Sequence, residues 1–143
     1  MRGLSVVGLI LFLGPLALSG CAVNKVIECN RVIKVANQVT ADTYVLTDEN
    51  NSKDPLSWLE AADALDAAAQ EMQTLEVVDA QLQTYRAGFI QMYEAIAQAT
   101  RTYSKSYQDL DREGVDAARA QLEQAVRREP ELVNGINTYC MAS

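Results

Sequence analysis

The sequence predicts an all-α protein, an up-down-up-down four-helix bundle with a short C-terminal helical segment. Three observations predict it. Val78, Leu82, Tyr85, Phe89, Met92, Ile96, Ala99 and Tyr103 step by alternate fours and threes, the heptad spacing of a bundle seam. Beyond residue 20 there are three glycines and two prolines, and Pro55 and Pro130 both sit where helices start. Strand-like alternation is absent, and the polar connections between apolar-periodic segments are short, which favours antiparallel neighbours.

The chain begins Met1-Arg2 and continues with an apolar run from Leu4 to Leu18, closed by Ser19-Gly20-Cys21. A basic start, an apolar stretch and small residues before a cleavage point make a secretory signal, so residues 1–20 read as a signal peptide. The run is short for a membrane span of about 20 residues, and Gly14-Pro15 interrupts it. Leu18-Ser19-Gly20-Cys21 resembles the lipobox of bacterial lipoproteins. That resemblance implies cleavage before Cys21 and acylation of Cys21 by chains such as palmitate. Each buried CH₂ contributes about 0.8 kcal/mol, so several acyl chains hold a small domain firmly. Residues 21–24 would then be the anchor and a short tether, and residues 25–143 the helical domain.

Without Arg2, 11 basic residues face 19 acidic ones, a net charge of −8. This argues against nucleic acid and against a polybasic grip on anionic lipid. With Cys21 committed to lipid, Cys29 and Cys140 remain, and two cysteines in an oxidising extracytoplasmic compartment are expected to pair. The bundle is thus expected to be closed by one disulfide.

The first helix is expected over about Lys25 to Leu46. One stripe carries Val26, Cys29, Ile33, Ala36, Thr40 and Tyr44, and a second carries Val32, Val35 and Val39. Asp48 to Asp54 forms a polar loop. Asp54-Pro55 starts the second helix, with Trp58, Ala61, Ala62, Leu65, Ala68, Ala69, Met72 and Leu75 on one face. The third helix carries the heptad from Val78 and continues towards Leu110. Asp111 caps a fourth helix bearing Val115, Ala118, Leu122, Ala125 and Val126. Glu129-Pro130 interrupts it, and a last segment turns Leu132, Val133, Ile136 and Cys140 inward. In this topology Cys29 and Cys140 reach the same end of the bundle, so disulfide and helix count support each other. Only Ala22, Val23 and Asn24 separate Cys21 from the first helix, which sets the disulfide end close to the lipid.

The lipobox, Cys29-Asn30, Lys53-Asp54-Pro55 before an alanine-rich helix, Ala61-Ala62-Asp63-Ala64-Leu65 and Tyr139-Cys140 together resemble small lipoproteins of cyanobacterial type. The resemblance implies the periplasmic face of a bacterial membrane, or the thylakoid lumen. It implies no active site, because its motifs are structural.

Chemistry is sparse. There is no histidine, which removes Ser–His and Cys–His pairs, histidine-bridged di-iron sites and histidine haem ligation. No enzyme activity, cofactor or resident metal is expected. Asp48, Asn50, Ser52 and Asp54 alternate like half a calcium loop, but Lys53 stands at the turn glycine and Leu59 at the bidentate glutamate. Glu60, Asp63 and Asp66 make an acidic face that reads as a solvated surface. Tyr103, Lys105, Tyr107 and Arg112 mark a third-helix tip expected to stand clear of the core, the mixture of aromatic and basic groups enriched at binding centres. The expected role is non-catalytic: a lipid-anchored protein that binds or stabilises a membrane-associated protein complex. The alternative is a carrier of a small ligand or cation, with a pocket near Tyr85, Phe89 and Met92.

Overall fold

A computed structural model describes residues 20–47 and 54–142, with side chains from 24–44 and 54–142. Five helices follow one another: α1 (Gly20–Thr47), α2 (Pro55–Thr74), α3 (Ala80–Gln108), α4 (Arg112–Val126) and α5 (Glu129–Met141). No strand occurs among the described residues. The expected interruption lies at Arg127-Arg128, so α4 and α5 together form the fourth, broken leg of the bundle.

Cap chemistry explains where each helix starts. Asp54 accepts from the Leu56 N–H at 3.0 Å, and Pro55 follows it in the first turn. Asp79 accepts from the N–H groups of Gln81 and Leu82, both at 2.9 Å. Asp111 accepts from the Gly114 N–H at 3.0 Å. Each aspartate satisfies donors that the first turn leaves without intrahelical partners. α1 begins at Gly20, so the backbone of the expected tether, residues 21–24, is already helical.

The core runs through α1, α2, α3 and α5. Val32, Met72, Leu82 and Phe89 are among its most enclosed side chains, with Leu132 and Ile136 supplied by α5. All of the predicted α2 face is buried except Leu75, which is half-buried. Gly88 lets α5 approach α3 closely, because a Cβ there would lie 2.5 Å from Leu132 Cδ2. Gly135 does the same for Tyr85, whose ring would lie 2.7 Å away. The predicted disulfide is present between Cys29 and Cys140, with Cα atoms 5.9 Å apart. It joins the start of α1 to the end of α5.

Several inward assignments require correction. On α1 the buried stripe is Cys29, Val32, Val35 and Val39, while Val26, Thr40 and Tyr44 are exposed. The shared period of the two stripes hid which one faces α2. Val78 is 83% exposed because it precedes the Asp79 cap and so stands outside the α3 seam. Val126 and Val133 are exposed as well. α4 packs along α3 without extended contact with α1 or α2, so only Ala118 of its apolar face is fully covered.

No described helix is long and apolar enough to cross a membrane.

Candidate functional sites at the two ends of the bundle

The bundle has two ends of different character. At the first, the start of α1, the link between α2 and α3, and the end of α5 meet. The buried Glu28 carboxylate accepts from the N–H groups of Val78 and Asp79 at 3.1 and 3.0 Å. Two unpaired link donors are thereby satisfied, and the carboxylate gains partners that offset its burial. The Tyr139 hydroxyl donates to Asp79 at 2.7 Å. Lys25 Nζ donates to the Ala142 carbonyl at 2.8 Å and lies 4.1 Å from the centre of the Tyr139 ring. With Cys29–Cys140, these bonds tie three chain segments into one rigid end.

The Leu82 N–H, the Tyr139 hydroxyl, the Gln81 N–H and the Lys25 charge hold the Asp79 carboxyl below its ordinary value, against the opposing effect of partial burial. The same hydrogen bond raises the Tyr139 phenol. A carboxyl lowered in the folded state stabilises it fully above the unfolded value, about pH 3.9, and this stabilisation is lost as pH falls through the native value. Asp79→Asn should therefore melt below the parent protein at neutral pH. The gap should close as the pH is taken from about 5 to about 2. Melting curves across that range check this, and a gap that stays constant counts against the assignment.

The second end gathers the start of α2, the end of α3 and the start of α4. Trp58 is the hub. Tyr103 and Tyr107 both meet it edge to face, with ring centres 5.0 and 5.2 Å away. Ser104 Oγ donates to the Pro55 carbonyl at 3.2 Å, which sets Ser104 level with the first residue of α2. The expected tip therefore starts later than predicted. Tyr103, the buried Ser104 and Ser106, and the Tyr107 ring against Trp58 belong to the packed end, and only about one turn, from Gln108, stands clear. The start of α2 therefore lies at this same end of the bundle.

Of the four residues expected at the tip, Tyr103 is half-buried against Trp58, and Lys105 is paired with Asp109 at 2.5 Å. Tyr107 and Arg112 are exposed. Leu110 was missed by sequence reasoning. It is 91% exposed and has a φ of 56°. α3 ends in a double hydrogen-bonded stop, with Leu110 N–H donating to the Tyr107 carbonyl at 3.3 Å and Asp111 N–H to the Ser106 carbonyl at 2.9 Å. That stop needs a left-handed residue, a place glycine or asparagine usually fills. The available signal was a three-residue connection, Asp109-Leu110-Asp111, with neither of them.

The other candidates resolve as follows. Arg101 bridges Asp63 and Asp66 at 2.6 and 2.7 Å, which partly neutralises the acidic face of α2. Among the described residues no group of three or more ligating side chains is set to hold a metal ion. Of the calcium-like alternation, Asp48, Asn50 and Ser52 lie outside the described residues and Asp54 is the α2 cap. Phe89 and Met92 are buried in the core, and Tyr85 is half-buried against α5. Beside Met92 a cleft of about 250 Å³ opens, walled by Val39, Leu65, Ile96 and Val126. Tyr93 and Glu129 also line it. Burial, with the Glu129 carboxylate adding to it, pushes the Tyr93 phenol well above the ordinary tyrosine value.

The lipobox residues before Gly20 lie outside the described residues. Compared with known proteins, the chain matches no family model, no curated protein and no solved structure.

Proposed function

We propose that the protein is an exported, lipid-anchored helical bundle without catalytic activity. Its role is to bind or stabilise a membrane-associated protein complex on the extracytoplasmic side. The anchor is Cys21, and the partner-binding surface is the end of the bundle remote from it, with Tyr107, Leu110 and Arg112 as its accessible groups.

The observation that supports this most is Leu110. A leucine at positive φ costs about 1–2 kcal/mol relative to a right-handed conformation. Its side chain is also almost wholly exposed to water. The α3 stop needs a left-handed residue here but not a leucine, and a partner that covers the exposed side chain accounts for that choice. Strained, exposed positions of this kind concentrate at functional sites.

Leu110→Gly separates stability from binding. Glycine adopts the left-handed conformation without strain, so the variant should gain about 1 kcal/mol and melt a few degrees higher. It should also recover less of the partner complex from the protein's own membranes. A stabilised variant that recovers the complex in full would remove this end as the binding surface.

The alternative, a small-ligand carrier, has the cleft beside Tyr93 in its favour. At about 250 Å³ it exceeds the roughly 150 Å³ that admits benzene in an apolar cavity. Co-purification of one small molecule with the parent protein, and its loss from Tyr93→Phe, would favour that reading.

A further inference from the structure

The exposed large apolar side chains of the described residues fall into two groups at opposite ends. Tyr44, Leu56, Tyr107 and Leu110 stand at the Trp58 end. Val26, Ile27, Val78 and Met141 stand at the disulfide end, and Val126 and Val133 alone lie on the wall between. Singly exposed hydrophobic residues need no explanation, but a group of them on a rigid frame does.

The frame at the disulfide end is rigid and polar on its inner side. Glu28 fixes the backbone of Val78 and Asp79, Lys25 fixes the end of α5 through Ala142, and Cys29–Cys140 locks α1 to α5. Outside that frame Val78 is 83% and Met141 77% exposed. Val26 and Ile27 occupy the same unbroken helix as Cys21, five and six residues further on. That places them only about 8–9 Å along the helix axis from the residue that carries the lipid.

We infer that this end is a lipid-facing platform. Val26, Ile27, Val78 and Met141 enter the interface of a zwitterionic bilayer, so the bundle stands upright with its Trp58 end away from the membrane. The inference rests on the Cys21 anchor proposed above. Charge selects the surface: the chain is acidic overall, and Glu76 and Asp79 stand at or beside this end against Lys25, which disfavours both anionic lipid and a second copy. Four side chains are too few to hold a domain on a membrane by themselves. Once acyl chains supply the attachment, the effective concentration of lipid at this end is high, and the same four side chains set the orientation.

The test uses the mature lipidated protein in phosphatidylcholine vesicles whose acyl chains carry bromine, which quenches tryptophan at close range. Trp58 is the single tryptophan of the chain, so the parent protein reports the remote end. Val78→Trp and, independently, Met141→Trp add a second indole at the platform. Val133→Trp adds one on the wall. Retained helicity shows that each variant folds. The inference expects the added indole at 78 and 141 to lose most of its emission, while Trp58 and the indole at 133 keep theirs. Equal quenching at 78 and 133 would mean that the bundle lies on its side, and overturns the inference. Unquenched indoles at 78 and 141 in vesicle-bound, lipidated protein overturn it too, and leave the anchor standing. A mature protein without lipid by mass, or absent from the vesicle fraction, overturns both.

Discussion

Changing Cys140 to serine should cost the domain about 4–5 kcal/mol and lower its melting temperature by roughly 10 °C or more. The bond spans 111 residues, nearly the whole described chain. In the chain-entropy view a cross-link of this span removes more conformations from the unfolded state than a short loop would. Its native cost is low, because α1 and α5 already meet at this end through Lys25 and Ala142. Thermal unfolding followed by circular dichroism, with and without reductant, measures the effect. An unchanged melting temperature would mean that the helices around Cys29 hold this end together without the bond.

Phe89→Ala should cost about 3–5 kcal/mol, comparable to the disulfide, by emptying the middle of the core. Phe89 is 1% exposed, and its ring centre lies 5.9 Å from that of Tyr93. The cost combines lost transfer energy with the cavity left behind, because a close-packed core relaxes only partly around a deleted ring. Val78→Ala offers the contrast. Both residues stand on the predicted heptad, but Val78 lies before the cap and faces water, so its truncation should change stability little. Denaturant unfolding of the two variants compares them directly. Equal losses would contradict the helix register.

The bundle was legible in the sequence because its strongest signals are local. The α3 heptad, the Asp54-Pro55 start and the Asp111 cap each depend on residues within a few positions of one another; the two helix starts occur as read, and the heptad does from Leu82 onward. What misled was tertiary. On α1 two apolar stripes share a period, and only the position of α2 decides that Val32 and Val39 face inward while Val26 does not. Val78 extends the heptad by spacing alone, but the Asp79 cap ends the helix before it. The tip was expected from Tyr103 onward, but Ser104 bonds to Pro55 across the packed end, a contact that no local pattern reveals. Leu110 was read only as the end of the third helix, since an exposed leucine in a turn looks ordinary until its φ is known. Glu28 was equally silent: nothing in its neighbourhood shows that its carboxylate bonds a link 50 residues away.

The most direct test of the account is the intact mass of the protein extracted from its own membranes. The account predicts a chain that begins at Cys21, carries acyl groups on that residue, and is two hydrogens lighter than its reduced form through Cys29–Cys140. A chain that begins at Cys21 without added mass, or one that retains residues 1–20 and no lipid, would contradict it.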